Sequence, residues 1–373
     1  MRYLRIVPYV VLVVAILGCS IALANGSPLR MGPYQMGQLL PDRSTPINVD
    51  NELLRFTISD DLSSTDIFVR YTLSNQSDGW QQVKMGFALG LGADKPTVSL
   101  GEANLDVEMT RTTVGFLQPF AASKVSAVDP VSGEPIDTGY GSDRFGIAVF
   151  DLNLPPRAAV PLVVQYKQNG GVDRSYANNL YTYSYLLQPA AAFQSFHDLT
   201  IEMNYPVNAL LGHNLPLPEK QRQDGQWVLR GQFAQLPEGD FHFSVMSRDH
   251  LWFGQTKGSF YEGAALAVFL TVGLLTACCS AYIVSSRATS ISSARTISAV
   301  QSPLVGVLAA GASQAGISAL IGVRNFFNRY DTMFLFLGTG VALVIVSIVL
   351  GLVVSSYVFR VRRGKPPVPP NFS

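Results

Sequence analysis

The sequence is poor in cysteine, with three in 373 residues. Cys19 lies in an apolar run near the N-terminus, and Cys278 and Cys279 lie in a second apolar run. The long region between them can therefore form no disulfide and no cysteine-ligated metal site. Small secreted domains usually need disulfides, whereas a region of about 200 residues can bury a core that folds without them.

Charge is also scarce. Charged residues make up 14% of the sequence, against about 25% in an average soluble domain. Residues 25–285 contain 17 Lys and Arg and 25 Asp and Glu, whereas the residues after 285 contain eight basic side chains and one acid, Asp331. An acidic region does not neutralise phosphates, so the composition argues against nucleic-acid binding.

Residues 1–24 have the order of a secretory signal. Arg2 and Arg5 precede a long apolar run, and Ala22-Leu23-Ala24 has the small-x-small pattern of a cleavage site. The alternatives are an uncleaved anchor and a lipoprotein modified at Cys19. Each of them sends the region that follows out of the cytoplasm.

Residues 46–255 alternate between apolar and polar with a period of two, which is typical of strands. Leu54, Phe56 and Ile58 form one such set. Turn-forming residues at 75–79 and 129–133 separate the runs. The pattern predicts an all-β extracytoplasmic domain.

The predicted architecture is an antiparallel β-sandwich, or two of them with a sub-boundary near residues 169–179. Residues 25–45 are rich in Gly, Pro and Gln, and we interpret them as a linker before this domain.

Two stretches carry a resemblance to known proteins. They read Tyr-Leu-Leu-Gln-Pro-Ala at 185–190 and Phe-Gln-Ser-Phe-His-Asp-Leu-Thr-Ile at 193–201. Together with the opening at 49–75, they resemble uncharacterised bacterial membrane-tethered proteins with β-rich ectodomains. That family has no established activity, so the resemblance implies the architecture and a bacterial origin only.

The C-terminal third predicts membrane helices at 262–285, 299–322 and 332–359. The middle segment is interrupted by polar residues and proline, so a re-entrant or surface-lying segment is the alternative. Three spans place the basic tail, 360–373, in the cytoplasm, as short basic segments prefer. The predicted location is therefore the plasma membrane, with several spans.

The middle segment also carries small residues at helical spacing, which let helices approach closely in a bilayer. The sequence predicts that this face packs against a helix of the same chain, of a second copy or of another membrane protein. The residues concerned are Gly311, Ala312, Ala315, Gly316 and Ala319.

Candidate chemical residues are few, and no catalytic motif is present. Imidazole and carboxylate groups bind zinc, copper or calcium, which makes His197, His242, His250, Asp106 and Glu108 candidate metal ligands. They lack the spacing of a known metal motif, and His242 is expected to face solvent because Phe241 and Phe243 take the opposite face of its strand.

The tyrosines 181, 183 and 185 share one face of a predicted strand. They form either a ligand platform or a set of packed rings.

The first functional interpretation is therefore a binding or assembly protein without cofactor, a subunit of a membrane complex that contacts lipid and a membrane-protein partner or a second copy. The alternative is a membrane-tethered enzyme, either a hydrolase or a metal-dependent oxidase, with its site in the β-rich domain.

Overall fold

A computed structural model of the chain describes residues 34–37, 39–90, 92–110, 126–137, 145–251, 254–321 and 330–363. The chain divides into two compact units, Leu29–Leu251 and a second that includes Trp252–Ser373. We call them the β unit and the helical unit. The predicted signal, 1–24, lies outside the described residues.

The β unit contains twenty strands among the described residues, and a short 3₁₀ helix at Gln188–Ala192. The strands are β1 Tyr34–Met36, β2 Leu39–Pro41, β3 Ile47–Ile58, β4 Ser64–Asn75, β5 Gln81–Gly90, β6 Thr97–Leu100, β7 Ala103–Asn104, β8 Glu108–Thr110, β9 Ser126–Val128, β10 Pro135–Asp137, β11 Phe145–Leu154, β12 Ala159–Asn169, β13 Gly171–Asp173, β14 Leu180–Tyr185, β15 Ser195–Phe196, β16 Leu199–Pro206, β17 Ala209–His213, β18 Glu219–Gln223, β19 Gln226–Phe233 and β20 Phe241–Ser247.

The largest sheet has the strand order β18-β19-β16-β3-β4-β12-β6-β7, with β15 pairing beside β3. Its strands come from both sides of the predicted sub-boundary at 169–179. Most strand pairs are antiparallel, as predicted, but β16 and β15 run parallel to β3 and β1 runs parallel to β14. Parallel neighbours need a long connection, and many intervening strands separate β3 from β16.

A second sheet has the order β1-β14-β20-β17, with β13 pairing beside β14, and we call it the small sheet. It contacts the largest sheet through aromatic rings. The Phe56 ring centroid lies 5.8 Å from that of Tyr185, 5.7 Å from that of Phe241 and 5.0 Å from that of Phe243. All four rings are buried in one core.

A third sheet has the order β2-β5-β11-β8. Its strand β2, like β1, lies within residues 25–45, where the sequence predicts a linker. Leu39 and Leu40 are buried against this sheet, so ordered structure begins earlier than the sequence predicts.

The helical unit contains three helices in the described residues, α1 Gly258–Arg287, α2 Ile291–Ile321 and α3 Tyr330–Arg363. Their stretches at Gly258–Arg287, Ile291–Ser313 and Gly338–Arg362 are long and apolar enough to cross a membrane. The middle helix begins eight residues before the predicted start at 299, and it continues through Pro303.

Each of these helices turns a row of mostly small residues, spaced four apart, toward the other two. The rows include Gly273 and Ala277 of α1, Ser302 and Gly306 of α2, and Gly351 of α3. Spacing of four keeps one residue per turn on the same helix face, so the small side chains let the backbones approach closely.

Candidate functional site

The small sheet has a polar face that is nevertheless buried. In the β14–β20 pair, Ser184 lies directly opposite His242. Their neighbours along the strands, Tyr185 and Phe243, point into the aromatic core, so Ser184 and His242 point to the other face. Ser184 is fully buried there and His242 is only 7% exposed. We call Ser184, His242 and Ser244 the polar row.

A hairpin of β9 and β10 covers one end of this face. The Ser244 hydroxyl donates a hydrogen bond to the Val128 carbonyl oxygen, and a Cβ atom on Gly212 would lie 2.9 Å from that same oxygen. The hairpin turn is held in place by the Tyr176 hydroxyl, which donates to Asp129 Oδ2 at 3.3 Å. The absence of a side chain at Gly212 thus allows the hairpin to lie close on the sheet.

Beyond the hairpin, the polar row retains unused hydrogen-bonding capacity. Ser184 Oγ and His242 Nδ1 are buried and have no hydrogen-bond partner within the part of the chain that the structure describes. Burial lowers the pKa of His242, with the nearby Asp240 carboxylate acting in the opposite sense. The imidazole is therefore neutral at pH 7, with one nitrogen able to donate and the other able to accept. Buried polar groups are normally paired, so this row offers two positions to a ligand or a water molecule.

A second polar cluster lies on the core side of the small sheet. The Tyr71 and Tyr185 hydroxyl oxygens are 3.4 Å apart, and Glu52 lies opposite Tyr71 in the β3–β4 pair. Burial raises the pKa of Tyr71, Tyr166 and Tyr185, and the charge of Glu52 raises those of Tyr71 and Tyr185 further. These phenols stay protonated at neutral pH and act as hydrogen-bonding groups within the core.

A β-bulge explains how a carboxylate reaches that core. The pairing of β3 with β4 shifts by one residue between Val49 and Asn51, which leaves Asp50 as the extra residue. Val49 is buried before the bulge and Glu52 after it, because an inserted residue reverses which positions face inward.

The structure does not group the predicted metal ligands. His197, His250, Asp106 and Glu108 are all exposed, and the described residues contain no cluster of three or more His, Cys, Asp or Glu that could hold a metal ion. The expectation that His242 faces solvent is wrong, because the polar face of its strand is covered.

The remaining histidine is tied to the backbone. His213 Nδ1 lies 2.7 Å from the Leu215 carbonyl oxygen. Burial lowers its pKa, and this hydrogen bond acts in the opposite sense.

The tyrosine face on β14 is a packing surface. Tyr183 and Tyr185 are buried, and Tyr183 stacks on Phe243 with ring centroids 4.8 Å apart. For these two tyrosines the packing interpretation is confirmed, and Tyr181 is half-buried beside the same core.

The predicted small-residue face on α2 lies beside the row that the structure uses. Gly311 and Ala312 are exposed, and a Cβ atom on Gly311 would meet nothing within 4 Å. The side chains of Ala315, Gly316 and Ala319 lie outside the described part. Packing of this face against another helix stays a prediction.

No family model and no curated protein matches the chain. Among solved structures, it is similar to a Legionella pneumophila protein that carries the name nutrient binding protein, with 13% identity, a TM-score of 0.42, and coverage of 59% of this chain and 73% of that one. It is also similar to an M1 zinc metallopeptidase from Deinococcus radiodurans, with 9% identity, a TM-score of 0.29, and coverage of 54% and 42%.

A further similarity is to leukotriene A4 hydrolase from Saccharomyces cerevisiae, with 9% identity, a TM-score of 0.32, and coverage of 55% and 30%. The chain thus spans less than half the length of each of these two enzymes. Similarities this weak assign neither a fold nor a function to the chain.

Proposed function

We propose that the chain is a membrane-anchored binding protein, with the β unit outside the cytoplasm and the helical unit in the plasma membrane as part of a larger membrane complex. The observation that carries the binding role is the polar row. Two buried polar atoms, Ser184 Oγ and His242 Nδ1, face the same side of one strand pair without a partner in the described residues.

The proposed architecture of the β unit is a sandwich in which the largest sheet and the small sheet share one core. The ring contacts of Phe56 with Tyr185, Phe241 and Phe243 support it. In such a scaffold the packed core holds β14 and β20 rigidly. Rigid strands keep the side chains of the polar row in a fixed geometry.

A hydrolase is the weaker alternative. Ser184, His242 and Asp240 are the residue types of a catalytic triad, but Ser184 Oγ makes no hydrogen bond to the imidazole. Asp240 Oδ1 accepts instead from the Leu187 amide at 3.0 Å. Nucleophilic catalysis needs the base within reach of the hydroxyl proton, so the arrangement supports binding better than attack.

Purification of the full chain in mild detergent, followed by native mass spectrometry, tests the binding role. We expect a bound species with the wild type, reduced about thirtyfold in the double variant Ser184→Ala, His242→Leu, because two lost hydrogen bonds cost about 2 kcal/mol together. The matched control is His197→Leu, which changes an exposed imidazole.

Circular dichroism on each variant shows whether the fold is kept. A wild-type chain that carries no bound species under several extraction conditions would refute the binding role, as would equal retention by a folded double variant.

The proposed topology has three spans and a cytoplasmic C-terminus. If the β unit lies outside, α1 runs inward, α2 outward and α3 inward again. Arg287 and Arg295 then lie on the same side as Arg360 and Arg362, which agrees with the preference of short basic segments for the cytoplasm. The signal at 1–24, cleaved after Ala24, supplies the export that this arrangement requires.

Cysteine labelling of intact cells tests this topology, in a chain whose three native cysteines are replaced by alanine. We expect Ser373→Cys to react with an impermeant maleimide only after the membrane is permeabilised. Gln223→Cys, on exposed strand β18, is the control and should react in intact cells. Labelling at 373 from outside would rule out the three-span arrangement.

A further inference from the structure

Most arginines of the three helices share one end of the helical unit, whereas Lys257 precedes α1 at the opposite end. α1 ends at Arg287, α2 begins at Ile291, and α3 ends at Arg363. The Ser285 hydroxyl donates to Ser355 Oγ at 2.9 Å, so the C-terminal turns of α1 and α3 lie side by side. Because α2 follows α1 after a short turn, its first turns lie at that end too.

This charge is not neutralised within the unit. Between Gly258 and Arg363 the sequence contains two acids, Glu262 and Asp331, and both lie in the first turns of their helices, at the opposite end. Arg295, Arg360 and Arg362 are exposed. Several arginines with no acid beside them create a positive field that attracts anions.

One of these arginines is fixed at the contact between α2 and α3. Arg295 Nε donates to Ser356 Oγ at 3.1 Å, and Arg295 Nη2 donates to the same oxygen at 2.9 Å. A guanidinium group has five N–H donors, so three remain for another partner. A fixed planar fork with free donors suits the oxygens of a phosphate group.

The surface next to this arginine is apolar and exposed. Val349 and Val353 of α3 lie two turns and one turn before Ser356 on the same helix face, and both present large side chains outward. Tyr357, the residue after Ser356, is 69% exposed. The end of the unit therefore pairs a fixed cation with an uncovered hydrocarbon surface. A ligand that matches both has an anionic head and an apolar tail.

We propose that the α2–α3 contact at Arg295 binds an anionic phospholipid. Its phosphate accepts from Arg295, with Arg360 and Arg362 adding to the field, and its acyl chain lies along Val349 and Val353. Zwitterionic lipids bring no net charge to this field and bind more weakly. The site belongs to the helical unit and does not depend on what the β unit binds.

Native mass spectrometry of the full chain, with equal phosphatidylglycerol and phosphatidylcholine added in detergent, tests this proposal. We expect preferential retention of phosphatidylglycerol, and a loss of preference of about fivefold in Arg295→Gln, as expected for one basic residue near an anionic headgroup. Ser356→Ala should weaken the preference less, because the charge stays but its orientation is lost. The control is Arg222→Gln, which removes one exposed charge from β18 in the β unit.

Equal retention of the two lipids, or a preference unchanged in Arg295→Gln, would overturn the proposal. An arm with glycerol phosphate at the same concentration as phosphatidylglycerol compares the headgroup with the whole lipid. If this soluble phosphate displaces half of the phosphatidylglycerol, the tail adds no affinity, and a lipid site is wrong. Circular dichroism shows whether the Arg295→Gln variant is folded. We expect that it is, because Arg295 is exposed.

Discussion

Replacing Phe56 with alanine is expected to lower the free energy of unfolding of the β unit by about 3–5 kcal/mol. Phe56 is fully buried, and its ring contacts Tyr185, Phe241 and Phe243 from the small sheet. Removing the ring leaves a cavity between the sheets that neither backbone can close. Since domains are stable by about 5–15 kcal/mol, this loss is a large fraction of the total.

Urea denaturation of the full chain in detergent, followed by near-ultraviolet circular dichroism, measures this change. The matched control is Trp80→Ala, which removes a larger ring that is 63% exposed. A surface change of this kind usually stays within about 0.5 kcal/mol. A loss below about 1 kcal/mol in Phe56→Ala would contradict a shared core, since buried Phe to Ala changes cost more than that.

Replacing Gly306 with leucine is expected to open the helical unit. A Cβ atom at Gly306 would lie 2.9 Å from the Gly273 carbonyl oxygen and 3.2 Å from the Ala277 Cβ atom. The first of these is backbone, so α1 and α2 must separate to admit any side chain. Overpacking typically costs about 1–3 kcal/mol, and a leucine at a close helix crossing lies at the upper end.

Gly311→Leu is the matched control on the same helix, because a Cβ atom there meets nothing within 4 Å. Cys278 reports on the opening, since it follows Ala277 on α1 and is a half-buried free thiol. In a chain with the other two cysteines replaced, we expect faster alkylation of Cys278 in Gly306→Leu and an unchanged rate in Gly311→Leu. Equal rates in both variants would contradict the close α1–α2 approach.

Much of the β unit could be predicted from residue alternation alone. Leu54, Phe56 and Ile58 are buried as the period-two pattern indicates. The alternation that starts at Ile47 and Val49 predicts that Asn51 faces inward, and it fails there because the bulge at Asp50 shifts the phase. Glu52 is buried instead, in phase with Leu54, and no residue type marks the bulge in the sequence. Strands β1 and β2 were missed because three-residue strands are too short to show alternation.

The polar row could be only half predicted. The alternation of Phe241, His242 and Phe243 correctly places His242 on the face away from the aromatic core. Whether that face meets solvent depends on segments from distant parts of the sequence, such as the β9–β10 hairpin that covers its Ser244 end. Local alternation of residues cannot predict that a segment distant in the sequence will cover a strand face. The sequence did not indicate Ser184 as a candidate site residue, since serine is common in strands.

In the helical unit, hydropathy predicts the helices and composition predicts close packing. Composition does not indicate which face of α2 packs against the other two helices. Gly311 and its neighbours have the same small side chains as the row from Ser298 to Ala310, and the two faces differ by one residue in phase. Only the positions of the partner helices decide between them, and the structure turns the row containing Ser302 and Gly306 inward.

The spacing of four between the small residues on all three helices also affects whether one helix can slide along another. Moving one helix by four residues shifts it by about 6 Å at 1.5 Å per residue and brings small side chains opposite small side chains again, so the rows alone would tolerate a ratchet step. One pair forbids it. The Leu343 side chain lies against Gly273, where a Cβ atom would come within 2.5 Å of it. After such a step it would meet the Ala277 methyl group or the Phe269 ring. A large residue set against a missing side chain thus fixes the axial position of α3 against α1.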